Sequence, residues 1–405
     1  MIYLDWAGTA KPNKEAIREA MEESFEFFAN PSSIHSEGRK AKERKEDARA
    51  NIAKMLGCNK DDLIFTSGAS EGIQIVFTSF LNHPFKNQII ISDREHNATR
   101  EMAGSMKNIG YELKTVSSTK DGFININSLL KEINEKTALI SLIYVDNESG
   151  AIEPIKEIVT AIKKEHKKPP HIHLDAVQAL GKIPINLEEL DVDSAVFSAH
   201  KIGGAKGVGL LYLKQAITPF LLGGGQERGI RGGTENLAGI ISLEKCLEQA
   251  FPLIDDRLVK TKDVMNFLID NLIKIEGVEL IPLSRYSLSS IEEPTSDENE
   301  EAKDNDKESS IEDRDGEKKR FSPYILSFCN HYLRGDVLVR MMSDLGIEIS
   351  SLSACSFNSK IKNTSNLAPH QYSENVNRVS ISYETTKDEL SIFLKMLKEI
   401  MGAVV

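Results

Sequence analysis

From about residue 15 to residue 250 the chain alternates two patterns. Segments with helical spacing, Glu/Lys pairs and little Gly or Pro, such as 37–56 and 151–166, are followed by short apolar runs. The first pattern predicts amphipathic helices and the second buried strands. Strands are expected at 62–67 (DLIFTS), 88–92 (QIIIS), 111–117 (YELKTVS), 137–145 (TALISLIYV), 171–175 (HIHLD), 194–199 (SAVFSA) and 207–213 (GVGLLYL). Such alternation is the signature of an α/β fold. After a long helical stretch around 235–275 come GVELIPL, YILSFCN, VLVRMMSDLGIEISSLSAC, NRVSISY and a closing helix, KDELSIFLKMLKEIMG. These predict a smaller α+β domain. The expected division is an N-terminal segment, 1–14, packing with the small domain, a large domain, 15–260, and the small C-terminal domain, 261–405.

A hydrophobic fraction of 40%, raised to about 46% by 26 glycines, excludes global disorder. No apolar run approaches the roughly 18 residues of a membrane span. Asp5 interrupts a secretory-type start. Cys58, Cys246, Cys329 and Cys355 are widely spaced with no CxxC pair, which fits neither a disulfide framework nor a four-thiolate zinc site. A reducing cytoplasm is therefore expected. Residues 291–320 hold 13 acids and 6 bases, so this segment carries most of the net charge of −11. From 292 to 320 the only aliphatic side chains are Ala302 and Ile311, too few to offset the ordering entropy. An acidic disordered insertion is expected at about 285–320. No basic stripe with interleaved aromatics is present, so a nucleic-acid partner is not expected.

Three local features carry chemistry when taken together. FSAHKIGGAKG places Lys201 just past a buried strand in a glycine-loosened turn, where desolvation lowers an amine's pKa. HIHLDAVQALG puts Asp175 at the carboxyl end of another strand, where open α/β sheets hold ligands. FTSGASEG runs strand, glycine turn, helix start, so the amides of Ala69 and Ser70 and the Ser70 hydroxyl can receive a phosphate. Lysine, carboxylate and phosphate cradle are what pyridoxal 5'-phosphate requires.

Those segments, with YLDWAGTAKP, NPSSIHSEGRKAKE, EHNA, VDNESGAIEPI, HLDAVQALGKIPINL, SAHKIGGAKGVGLLYL, GGGQERGIRGGTEN, SSLSACS and NRVSIS, resemble the class V aminotransferases. Within that group they resemble the NifS/IscS-like cysteine desulfurases over nearly the whole chain. The resemblance implies a large pyridoxal-phosphate-binding domain whose mostly parallel mixed sheet is flanked by helices. It implies Lys201 as the Schiff-base lysine, Asp175 as partner of the ring nitrogen, and His96 as the residue that stacks on the ring and assists proton transfer. It further implies Asn147 and Gln178 at the phenolic oxygen, and Ser70, Ser198 and His200 at the phosphate. Thr234 would reach the neighbouring subunit's phosphate site in a homodimer. Arg378 would grip the α-carboxylate of L-cysteine, and Cys355 would take its sulfur as a persulfide, leaving alanine. The sulfur would feed iron–sulfur cluster or other thio-cofactor assembly through an acceptor or scaffold protein.

The chain departs from the family pattern at Gly8-Thr9-Ala10, where ATT is usual, and at Gly203 and Ala205, where an aromatic and a proline are common. Leu352 replaces a glycine near the nucleophile, and SFNSKIKNTSNLAPH replaces the typical LEPS continuation. A selenocysteine lyase or an aminotransferase of the same fold is the alternative. His171, His173 and Asp175 also match the start of a binuclear zinc hydrolase motif, but Ala176 stands where a further His is needed and Lys201 is left unexplained. No metal is therefore expected.

Overall fold

A computed structural model describes residues 1–82, 85–285, 320–351 and 367–404. The acidic insertion lies largely, and Cys355 wholly, outside the described residues. The chain opens with β1 (Ile2–Tyr3), α1 (Lys14–Glu26), α2 (Ser36–Leu56), β2 (Leu63–Thr66), α3 (Ala69–Ser79), β3 (Gln88–Ser92), α4 (Asn97–Asn108) and β4 (Glu112–Val116). It continues through α5 (Ile126–Glu132), β5 (Thr137–Ile143), β6 (Ala151–Ile152), α6 (Ile155–Glu165), β7 (His171–Asp175), α7 (Leu187–Leu190), β8 (Ser194–Ser198), β9 (Gly209–Leu213), α8 (Leu237–Ala250) and α9 (Ile254–Leu272).

Seven strands form one sheet in the order β2-β9-β8-β7-β5-β3-β4. β9 runs antiparallel to both of its neighbours, and the other contacts are parallel. Strands β3, β5, β7 and β8 are buried along their whole length; QIII and ALISLI read as near-continuous apolar runs, whereas HIHLD alternates, its buried histidines meeting Ser194. Helix α6 supplies one covering face with Ile155, Ile158, Val159 and Ile162. Its sequence pattern begins at 151, but the first two residues pair as β6 with a distant strand, so the helix starts at Ile155. The helical stretch expected around 235–275 is split at Phe251–Leu253, where Pro252 ends α8 and α9 begins.

The C-terminal elements are β10 (Val278–Ile281), β11 (Arg320–Phe321), β12 (Ile325–Asn330), α10 (Gly335–Asp344), β13 (Ile347–Glu348), β14 (Ser350–Ser351), β15 (Val376–Ser380) and α11 (Lys387–Val404). Four of them form an antiparallel sheet, β10-β12-β15-β14. Leu326, Phe328 and Val379 pack there with Leu268 and Leu272 of α9 and Phe393 and Leu397 of α11. β1 pairs in parallel with β13, so the chain enters through this smaller body.

Residues 5–13 then form a strap from the small sheet to the large one. Ala7 N donates to Ser380 Oγ at 2.8 Å, Ala10 N to the His200 carbonyl at 3.0 Å, and Asn13 N to the Gly203 carbonyl at 2.8 Å. Gly203 closes the turn after β8 with φ +88°, and a Cβ there would stand 3.0 Å from the Lys11 carbonyl oxygen. The close strap therefore requires glycine.

Candidate active site

The carboxyl ends of β7 and β8 and the strap bring the chemistry-bearing side chains together. Lys201 sits in the short 3-10 turn Ala199–Ile202 directly after β8. Its Nζ donates to the carbonyls of Ala7 at 2.7 Å and Gly8 at 2.8 Å. Gln178 is buried, and its Nε2 donates to the same Ala7 carbonyl at 2.9 Å. His200 Nδ1 meets Thr9 Oγ1 at 2.9 Å. Burial, then the cations Lys201, Lys206 and Lys182, push His200 down to about 4, so the ring is neutral near neutral pH.

Asp175 ends β7, and one of its carboxylate oxygens accepts from Val177 N at 3.0 Å. Burial pushes its carboxyl up against the opposing pull of His96 and Lys201. A buried carboxylate in that state calls for a cation, and a protonated pyridine nitrogen is one. Glu95, equally buried beside Thr99 and Ser141, is raised well above the usual carboxylate range by burial and then by the charge of Asp175. His96 N-caps α4 and is exposed on one side. Its Nδ1 accepts from Ala98 N at 3.1 Å, which leaves the proton of the neutral ring on Nε2. Desolvation within the protein wall lowers its pKa; Asp175 opposes the shift and Lys201 reinforces it.

Ala69 N donates to Ser198 Oγ at 3.0 Å, tying the start of α3 to the end of β8. Gly68, the N-cap of α3, has no side chain to cap the helix, the Ala69 amide is engaged by Ser198, and Ser70 is exposed beside it. An uncapped helix start with a neighbouring hydroxyl is suited to an oxyanion. The donor set therefore fits pyridoxal phosphate: an amine at Lys201, a buried carboxylate at Asp175 and a helix start at Ser70 beside the Ala69–Ser198 contact.

Arg378, on β15, approaches from the small sheet. Its Nη1 donates to the Asn147 carbonyl at 2.9 Å and its Nη2 pairs with Asp5 Oδ1 at 2.8 Å. Its Nε is buried without a partner among the described residues. The Nε and Nη2 edge of a guanidinium is the fork that grips a carboxylate, so this side chain retains an unspent donor for one. Thr234 is exposed and lines a separate cleft of about 40 Å³ with Phe65, Thr66, Val208 and Arg231, and it touches none of the residues above. His171 Nε2 and His173 Nδ1 instead converge on Ser194 Oγ at 2.8 and 2.7 Å, and their rings pack edge-on against Phe80 and Phe77. Burial drives His173 down to about 3.

Sequence reasoning passed over Asp5, Lys182 and the buried pair Arg94–Asp146. Arg94 donates to Asp146 Oδ2 through Nε at 2.9 Å and Nη2 at 2.6 Å, and so anchors the loop that carries Asn147. The partners are 52 residues apart, so no local pattern announces them. Lys182 did leave a signal, lying four residues after Gln178.

The aminotransferase class-V family model matches residues 2–291. The cysteine desulfurase IscS of Dictyoglomus turgidum is 33% identical over 416 aligned residues, covering 99% of this chain and 94% of that protein. Among solved structures, a NifS-like protein superposes with a TM-score of 0.84 at 28% identity, covering 99% of each chain. A NifS-like protein from Rickettsia africae gives 0.80 at 26% identity, again covering 99% of each. The chain belongs to the class-V aminotransferase family, among its NifS/IscS-like cysteine desulfurases. Enzymes of this family generally depend on pyridoxal phosphate, and the matches favour the desulfurase over a selenocysteine lyase or aminotransferase.

Proposed function

We propose that this chain converts L-cysteine to L-alanine at the recess formed by Lys201, Asp175, the start of α3 and Arg378. The observation that carries the reading is the convergence of β7, β8, α3 and β15 with the strap. Bound pyridoxal phosphate supplies an electron sink for the substrate's α-carbon. Lys201 holds the cofactor and then moves the α-proton at its Nζ. Asp175 keeps the ring nitrogen charged, and Gln178 and the Asn147 side chain donate to the phenolic oxygen. Ala69, Ser70, Ser198 and His200 hold the phosphate. Arg378 orients the α-carboxylate, and His96 covers the ring and passes protons through Nε2.

Sulfur transfer falls to Cys355. Burial pushes the thiols of Cys58, Cys246 and Cys329 up to about 12, which leaves them inert near neutral pH. Cys355 lies outside the described residues, four positions after Ser351, which pairs with Asn377 beside Arg378. The Cys355 thiolate attacks the substrate sulfur, the carbon–sulfur bond breaks, and a proton replaces sulfur on carbon. The persulfide then passes sulfur to an acceptor or scaffold protein for iron–sulfur cluster or other thio-cofactor assembly.

The working form is a homodimer in a reducing cytoplasm, with Thr234 completing the partner's phosphate site. Phe25, Phe28, Leu221 and Leu222 are exposed, and a second copy would cover such surface. Among the described residues no helix is long and apolar enough to cross a membrane. Cys355→Ser tests the assignment. The variant should keep its cofactor absorbance and its spectral response to L-cysteine, while alanine release falls to near background. Wild-type alanine release would remove Cys355 and make a lyase that needs no thiol the better reading.

A further inference from the structure

Behind the recess a second lysine reaches toward it. Lys182 Nζ donates to Gln178 Oε1 at 2.7 Å, Gln178 Nε2 donates to the Ala7 carbonyl at 2.9 Å, and Lys201 Nζ donates to the same carbonyl at 2.7 Å. The contact settles the orientation of the Gln178 amide. As an ammonium Lys182 offers only donors and the Ala7 carbonyl is only an acceptor, so Gln178 turns its oxygen toward Lys182 and its NH₂ toward the strap and the recess. Gln178 is 4% exposed, so no bulk water competes for that choice. Without a donor at position 182 the amide oxygen would lose its partner in a buried place, and the Ala7 carbonyl alone would hold the NH₂.

The groups around the Lys182 ammonium are mostly cationic. Lys201 and Arg378 repel it, His200 is itself lowered by it, and burial disfavours its charge most of all, bringing it down to about 7. Its stable contact is the Gln178 oxygen.

We propose that Lys182 is a positioning residue that fixes the Gln178 amide with its NH₂ directed into the recess, and adds positive charge behind the phenolic side of the cofactor. This rests on the reading of the recess as the pyridoxal-phosphate site. An amide NH₂ and a nearby cation both stabilise a phenolate and disfavour the more protonated form of the bound chromophore. Lys182 therefore lowers the pH at which the visible absorbance of the bound cofactor changes. It acts through Gln178, not on the substrate.

The test is a pH titration of the visible absorbance of the cofactor-loaded protein for wild type, Lys182→Met, Lys182→Arg, Gln178→Leu and the Lys182→Met/Gln178→Leu double variant. Lys182→Met should raise the midpoint by about one unit and loosen cofactor binding several-fold. Lys182→Arg, which keeps charge and donors, should stay near wild type. In the Gln178→Leu background the methionine change should move the midpoint less, since part of its effect passes through the amide. If Lys182→Met does not fold, Lys182→Gln serves as the neutral variant in the same comparison. An unmoved midpoint in the neutral variant, or an equal shift in both backgrounds, overturns the proposal. A wild-type protein that binds pyridoxal phosphate with no visible band overturns the reading of the recess instead.

Discussion

Replacing Arg378 with alanine removes a side chain whose three donor positions have different fates. Nη1 is spent on the Asn147 carbonyl, Nη2 is shared with Asp5, and Nε is buried without a partner among the described residues. A substrate carboxylate would satisfy Nε and share Nη2. A charge-assisted hydrogen bond is worth about 1.5–3 kcal/mol, and with Nη2 already shared with Asp5 the loss amounts to about one such bond, so the KM for L-cysteine should rise roughly 10- to 100-fold. The fold should tolerate the change, because the Asp5 side chain is 28% exposed and can be resolvated; such a pair contributes about 1 kcal/mol or less. Arg378→Lys should fall between the two, since a point charge replaces a fork. The assay is alanine formation against L-cysteine concentration, with cofactor content measured by absorbance in the same samples. Unchanged KM at full cofactor content would show that Arg378 does not hold the carboxylate. Loss of cofactor would place it in the cofactor site instead.

Two further predictions concern stability. Glu227 is fully buried and accepts from Arg49 at 2.7 and 2.8 Å and from Phe65 N at 2.7 Å, with Lys45 at 3.2 Å, so Glu227→Gln removes the buried anion that joins them and leaves Arg49 only the half-exposed Glu46 and Lys45 only Glu235 as its close partner. Urea denaturation should show a loss of about 3–5 kcal/mol, and a loss below about 1 kcal/mol would refute it. Glu153 is held up to about 8, chiefly by burial, so its contribution is fully present below about 4.5, its unfolded value, and is lost as pH rises through 8. Glu153→Gln keeps an acceptor for Ile124 N at 2.9 Å and should be more stable than wild type at pH 9, by about 4 kcal/mol, with little difference at pH 5. An equal difference at both pH values would contradict this.

The large sheet was legible in the sequence because its strands are buried on both faces. QIIIS and HIHLD match β3 and β7 residue for residue. The breaks were less legible. Pro252 separates α8 from α9 within one continuous apolar pattern, and β1, β6, β13 and β14 are two residues long, too short to carry a period. The site residues on strand ends and glycine turns were visible through their local motifs. What the motifs omit is long-range pairing. Asp5 meets Arg378 across 373 residues, and Glu227 meets Arg49 across 178. Both pairs depend on how the elements dock, which no local spacing encodes.

The central claim is that the recess beneath the strap holds pyridoxal phosphate through Lys201. Borohydride reduction of the cofactor-loaded protein fixes the pyridoxyl group to whichever lysine carries it, and peptide mapping then identifies that residue. The most demanding competitor is Lys182, whose amine is brought down to about 7 by burial and by its cationic neighbours. The structure predicts the label on the peptide that contains Lys201, and none on Lys201→Ala. A label on Lys182, or on any other lysine of the wild-type protein, would contradict the account.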